Sequence, residues 1–196
     1  MHAEVIDWFL SMPLWVDLPG LHVVHACWHA EFVTWLTTAL ADGHRLTREM
    51  MTAATTPSSE PSPENGPTLF TAVDCLLKGL EVQLPSGQSF ADADGHTRIS
   101  ARVRWWDDEA VTIRDGVHAT EAVRSQLSDA PLPKEARVGV REHPVCFGHY
   151  WLTGSPTLLS SRAACVDYSA GAWGPLVAYR YDGEPQLERA HLAWVS

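Results

Sequence analysis

Apolar and polar positions along the chain recur first at the spacing of helices and later at that of strands. Residues 5–10 read as the end of a helix stopped near Pro13, and the run LHVVHA follows the turn Leu18-Pro19-Gly20 as a short strand. The spacing predicts a helix over 32–41, ended by Asp42-Gly43, and another over 69–80, with Phe70, Val73, Leu76, Leu77 and Leu80 on one face and Gly79 where the helix should stop. Between them, MTAATTPSSEPSPENGP (51–67) is dense in Pro, Ser and Thr. It is expected to form no regular element, with 55–67 a flexible surface loop that tolerates deletion.

After residue 80 the period shifts to two. RISARVRWW (98–106) alternates, with Ile99, Ala101, Val103 and Trp105 on one face and Arg98, Ser100, Arg102 and Arg104 on the other, as a half-exposed strand does. VCFGHYW, AACVDY, LVAYRY and QLERAHLAWV are further strand candidates, the last two joined at Asp182-Gly183. There is no internal repeat. The order of elements predicts an α/β fold, read as a single domain over 1–196.

Composition narrows the setting. With 45% hydrophobic residues, 196 residues suffice for a globular core. The formal charge of −10 gives no electrostatic grip on nucleic acid or anionic lipid, so an anionic substrate needs a local positive centre, a metal or placed arginines. Cys27, Cys75, Cys146 and Cys165 form no CxxC pair, and three of them lie in apolar segments. That usage suits a reducing cytoplasm. The first residues carry no basic leader, and no apolar run approaches the roughly 18 residues of a membrane span, so the expectation is a cytoplasmic chain without membrane partners.

Candidate chemistry concentrates in LHVVHACWHAEF, where three histidines and a cysteine fall within eight residues. His25 and His29 have the spacing of two zinc ligands on one helical face, yet a strand precedes them and Trp28 intervenes. A buried, hydrogen-bonded histidine at a strand end is the plain alternative for His25. A second strand-end histidine, His149 in VCFGHYW, strengthens the functional reading, because loops leaving strand C-termini in α/β proteins converge on one crevice. A nucleophilic Cys27/His29 pair lacks a carboxylate to orient the imidazole.

The segments VVHACW, FGHYW and ACVDYSAGAWGPLVAYR, in that order, resemble the C-terminal half of the calcineurin-like metallophosphoesterases. The likeness is greatest to the branch holding serine/threonine protein phosphatases and bacterial bis(5′-nucleosyl)-tetraphosphatases. It runs from MPLWVDLPG to the last strand and takes in LLKGLEVQLPSGQSFADADGHTR as the middle segment. The resemblance implies the second half of a β-sandwich flanked by helices. It also implies hydrolysis of phosphomonoesters or dinucleoside polyphosphates, on a phosphorylated small molecule or a phosphoprotein. Divalent ions (Mn, Fe or Zn) would serve as cofactors, a dinuclear pair in the family. His25 matches the first of the family's late histidines and His149 the second, both on one metal.

The family's GDxHG, GDxxDRG and GNH[ED] motifs are absent, and the only asparagine is Asn65. The chain is therefore expected to be the C-terminal portion of such an enzyme and a poor catalyst by itself, because two imidazoles hold one ion more readily than a pair that needs carboxylates. A noncatalytic remnant or interaction module, or a zinc module built on His25, His29 and Cys27, are the other readings. Arg102 and Arg104 share a strand face and could clamp a phosphate, a role the resemblance supports for Arg104; a solvated edge face is the alternative. Asp92 to Gly95 suits a hairpin turn better than a calcium loop. By resemblance Asp167-Tyr168 packs at the base of the site.

Overall fold

The computed structural model describes residues 2–40, 43–57, 66–92, 95–140 and 142–196. Most of the Pro/Ser loop, 58–65, lies outside the described residues. In chain order the elements are α1 (His2–Leu10), β1 (Trp15–Leu18), β2 (Leu21–Val24), α2 (Ala30–Ala39), α3 (Met51–Thr55) and α4 (Leu69–Lys78). Then come β3 (Glu81–Gln83), β4 (Phe90–Ala91), β5 (Thr97–Arg98), β6 (Ser100–Arg102), α5 (Ile113–Gly116) and α6 (Glu121–Arg124). Strands β7 (Val145–Phe147), β8 (Ala163–Cys165), β9 (Leu176–Tyr179) and β10 (Leu192–Val195) complete the chain. Mixed helices and small sheets make the class α/β. The chain divides into two compact units, Met1–Lys78 with Glu142–Ser196, and Gly79–Arg141.

The first unit is built on a four-stranded sheet in the order β1-β2-β7-β8. β2 pairs in parallel with β7, His22 opposite Val145 and Val23 opposite Cys146, and β7 in parallel with β8. Every residue of β7 and β8 is buried, as expected of parallel strands covered on both faces. Leu21, Cys146 and Ala164 share one face, packed with Leu187, Leu158 and Tyr181. β1 closes the edge by an antiparallel turn onto β2, with Asp17 opposite His22. WVDL was not among the expected strands because four residues carry too little alternation. The backbone N–H of Ala26 donates to the Leu76 carbonyl (2.9 Å), tying the exit of β2 to α4 at the fully buried Leu76. Gly79, at φ +91°, ends that helix as expected.

Residues 51–55, taken as part of the irregular segment, form α3, because MTAAT is free of proline and its Ala54 is buried. Helix formation stops before Pro57.

β9 and β10 form an antiparallel pair, but their connection is wider than an Asp182-Gly183 turn and includes a 3₁₀ turn at Arg189–His191. Glu184 organises it. Its carboxylate accepts from the Tyr179 hydroxyl (2.5 Å), from a His191 Nδ1 (2.9 Å) and from the Asp182 N–H (2.8 Å), while Glu188 N–H donates to the Tyr179 oxygen (2.8 Å). Burial pushes this carboxyl up, but the hydrogen bonds from Tyr179, backbone N–H groups and His191 override it and hold it down at about 2.

The second unit has its own core of Val82, Leu84, Ala101, Val103, Ile113, Val117, Leu127 and Leu132. The expected continuous strand over 98–106 is instead three short pieces with three partners. β5 pairs with β4, β6 with β3, and Val103 bridges to Val117. Ala101, Val103 and Trp105 are buried as the alternation implies, whereas Ile99 falls at the break between pieces and is 64% exposed. β4 and β5 pair antiparallel on either side of 92–95, of which 93 and 94 lie outside the described residues; Gly95 N–H donates to the Asp92 carbonyl (3.0 Å), and the Asp92 carboxylate accepts from His96 N–H and Arg98. Thr112 and Thr120 cap α5 and α6 by accepting from the backbone N–H three residues on.

Two predictions follow from this packing. Leu76 is fully buried, so Leu76→Ala should cost about 2–5 kcal/mol in urea unfolding through the cavity it leaves. Because Glu184 is held below its unfolded value, its contribution to stability is complete above about pH 4.5 and is lost as pH falls toward 2. Glu184→Gln should therefore flatten the acid limb of the stability-pH curve measured by thermal melts, and an unchanged limb would reject the role given to Glu184.

Candidate functional site

Three neighbouring parallel strands end side by side. His25 follows β2, Gly148-His149 follows β7 and Val166-Asp167 follows β8, so all three side chains leave the carboxyl edge of the sheet. Gly148 stitches the edge: its N–H donates to the His25 carbonyl (2.9 Å), and a β-carbon built on it would touch Asp167 Cβ at 3.4 Å. Val166 N–H donates to the Phe147 carbonyl (2.8 Å), which extends the pairing one step past β8.

The structure brings His25 and His149 together across 124 residues of sequence, with Nε2 of the first 3.2 Å from Nδ1 of the second. The rings are tilted by 54° rather than stacked. Two imidazole nitrogens bound to one zinc at about 2.0–2.1 Å and near-tetrahedral angle lie roughly 3.3 Å apart, so this spacing fits a single shared cation as well as a direct N–H···N hydrogen bond. Among the described residues no three or more His, Cys, Asp or Glu side chains group in a way that would hold a metal ion. The donor set thus fits one ion, and the carboxylates a second ion requires are missing from it.

Asp167 has another task. Its Oδ2 accepts from Trp151 N–H (3.3 Å), its Oδ1 from Ser169 N–H (3.1 Å), and its carbonyl from Leu152 N–H (3.0 Å). It fastens the loop after β7 to the loop after β8. Tyr168 is buried beside it, its hydroxyl accepting from Thr157 N–H (3.0 Å).

These loops are strained. Non-glycine residues with φ in the left-handed region include His149 (+71°), Trp151 (+47°), Ser169 (+60°) and Trp173 (+68°), all in this pair of loops. Each such residue costs on the order of 1–3 kcal/mol, and such outliers gather at sites of function. Gly174 permits a turn that a side chain would block, since a β-carbon there would lie 1.8 Å from the Tyr168 carbonyl oxygen. Trp151 is 72% exposed and Trp173 is fully exposed.

The other histidines of the opening motif serve structure. His22 is buried, donates from Nδ1 to Asp17 Oδ1 (2.9 Å) and stacks on Trp28 at 3.8 Å. Burial lowers its pKa against the opposing pull of Asp17. His29 begins α2, stacks on Phe32 at 3.9 Å and is likewise lowered by burial. His25 sits in a bend, so the His25/His29 pair does not share a helical face. All four cysteines are free and buried; burial pushes Cys146 up to about 12 and Cys165 to about 11, which leaves both thiols protonated and inert.

Arg102 and Arg104 belong to the second unit. The Arg104 guanidinium donates to the Asp115 carbonyl and pairs with Asp107 (2.9 Å). Arg102 lies in β6, its Nε enclosed without a hydrogen-bond partner. An apolar cavity of about 480 Å³ in the first unit reaches His25, with Phe9, Met12, Trp15, Val24 and Leu77 among its walls.

Sequence reasoning anticipated the two strand-end histidines. It did not anticipate the Asp17–His22 pair, whose signal is a carboxylate and a histidine flanking a Pro-Gly turn, or the clamp made by Asp167. No helix among the described residues is long and apolar enough to cross a membrane. No family model matches the chain, and neither a curated protein nor a solved structure does.

The strain is open to measurement. Trp173 makes no packing contact with its side chain fully exposed, so Trp173→Gly should be more stable than Trp173→Ala by about 0.5–1 kcal/mol in chemical denaturation. Equal stability of the two would remove the claim of strain at this position.

Proposed function

We propose that the chain supplies the late-histidine side of a metal-dependent phosphoesterase centre of the calcineurin-like kind. Its substrates would be phosphomonoesters or dinucleoside polyphosphates, on a small molecule or a phosphoprotein. On this reading the β1-β2-β7-β8 sheet corresponds to the second sheet of that family's β-sandwich, and the four free, buried cysteines suit a reducing cytoplasm. One observation carries the proposal: two histidines 124 residues apart meet at 3.2 Å on the carboxyl edge of a parallel sheet.

His25 Nε2 and His149 Nδ1 would hold one Mn²⁺, Fe²⁺ or Zn²⁺ ion, which supplies Lewis acidity toward a phosphoryl oxygen. Asp167 keeps the His149 loop in place through Trp151 N–H, and Gly148 holds the His25 carbonyl. A noncatalytic metal-binding module is the second reading, favoured by the absence of a third protein donor among the described residues.

Calorimetric titration of the whole chain with Mn²⁺ or Zn²⁺ should give about one ion per chain. His25→Ala and His149→Ala should each remove it, while His29→Ala should not. Inorganic phosphate should then bind to the metal-loaded wild type only. Metal binding unaffected by either strand-end substitution overturns the site; metal binding without phosphate binding decides for the noncatalytic module. Hydrolysis of p-nitrophenyl phosphate should not exceed that of the His25→Ala/His149→Ala double variant, because the centre lacks carboxylates. Turnover above that control would mean that a carboxylate, Asp167 first among them, completes it.

A further inference from the structure

The apolar cavity of about 480 Å³ draws its walls from α1, β1, β2, α3 and α4, all within the first unit. Phe9, Met12, Val24, Met51 and Leu77 are among them, and His25 is the single polar residue of the described walls. The cavity opens to solvent through an apolar rim, since Phe9 and Met12 line it and are still 54% and 42% exposed.

Water is a poor occupant of such a space, because an enclosed water needs about two to four polar partners and the walls offer one residue. Left empty, the walls forfeit dispersion contacts on their open side. An apolar molecule restores them. In size the cavity is about three times the roughly 150 Å³ that holds one benzene, which gives room for a chain of at most about eighteen carbons. Met12 and Met51 are unbranched and flexible, so they adjust to an occupant of irregular outline such as an alkyl chain.

The polar end of the ligand follows from His25. Its Nε2 faces His149 Nδ1 at 3.2 Å, which leaves Nδ1 for a head group. An imidazole N–H donates well to a carboxylate, and no acidic residue stands among the described walls to repel one. We propose that the cavity is a binding site for a single-chain fatty acid, with the alkyl chain in the apolar space and the carboxylate hydrogen-bonded to His25. The site is separate from phosphoester chemistry and needs no ion at the histidine pair, so it and the metal titration described above stand or fall independently.

Calorimetry of the whole chain, with a chelator present to exclude metal ions, tests this with hexanoate, octanoate, decanoate and dodecanoate. Each should bind once per chain, with affinity rising about threefold to fourfold per added methylene as that group leaves water. Dodecanedioate, which carries a second charge into the apolar walls, should bind at least about a hundredfold more weakly than dodecanoate. Dodecan-1-ol should also bind more weakly than dodecanoate, and His25→Ala should abolish that difference while keeping the dependence on chain length. Leu77→Trp and Met51→Trp fill the space from two different helices, and each should weaken dodecanoate about tenfold or more. The dicarboxylate comparison needs no variant, so misfolding of either would not hide the answer. Affinity that ignores chain length, or dodecanedioate bound as tightly as dodecanoate, overturns the site. Dodecanoate binding that survives both filling substitutions overturns it as well, and a carboxylate preference that survives His25→Ala overturns the role of His25. A dimer in sedimentation that dodecanoate leaves unchanged, with no one-to-one binding, rejects the fatty acid in favour of a second copy of the chain over the rim.

Discussion

The parallel seating of β7 between β2 and β8 is the interaction on which the first unit depends. β7 is three residues long, yet it joins a strand near the start of the chain to one near the end and is buried throughout. Its register decides which residues meet. Val23 opposite Cys146 puts His25 and His149 on the same edge, and Phe147 opposite Cys165 puts Asp167 beside them. A slip of one residue would turn Cys146 to the face now held by Val145 and Phe147 and would carry His149 away from His25. The candidate chemistry is therefore a by-product of strand register, enforced by packing on both sheet faces.

Much of this was legible beforehand. β2, β7 and β8 announced themselves as short runs of β-branched, aromatic and small apolar residues, and a histidine just past a strand is placed by the rule of strand C-termini. What the pattern could not reveal was partnership. In 98–106 the alternation told which side chains are buried, but the three pieces pair with β4, β3 and Val117, and nothing in period two says that a strand will change partners. β1 was too short to show a period. The left-handed residues were invisible for another reason: histidine and serine tolerate positive φ only moderately and tryptophan poorly, so these positions contradict local preference and are held by tertiary hydrogen bonds such as those to Asp167.

Electrostatics divides the polar residues by role. Carboxylates with several donors, Glu184 above all, act as fasteners for loops, and the arginine most plausible as an anion ligand, Arg104, closes a carbonyl and an aspartate in its own unit. Buried His22 and half-buried His29 are stacked on aromatic neighbours, and burial lowers the pKa of each. His25 is the exposed exception in that cluster, and its partner His149 is the one residue of the edge that combines a strained backbone with a titratable ring.

The second unit, Gly79–Arg141, interrupts the first between α4 and β7. The β2–β7 pairing must consequently close a loop of more than a hundred residues, an entropic cost of about 4 kcal/mol on a logarithmic length dependence. Contacts of such long sequence separation raise contact order and slow folding. The inserted unit has its own core and local pairings, so it can form early and shorten the effective loop, although halving that loop recovers only about 0.6 kcal/mol. The sheet edge bearing the two histidines is thus assembled late, and until then β7 and β8, apolar and unpaired, are the stretch of this chain most exposed to aggregation.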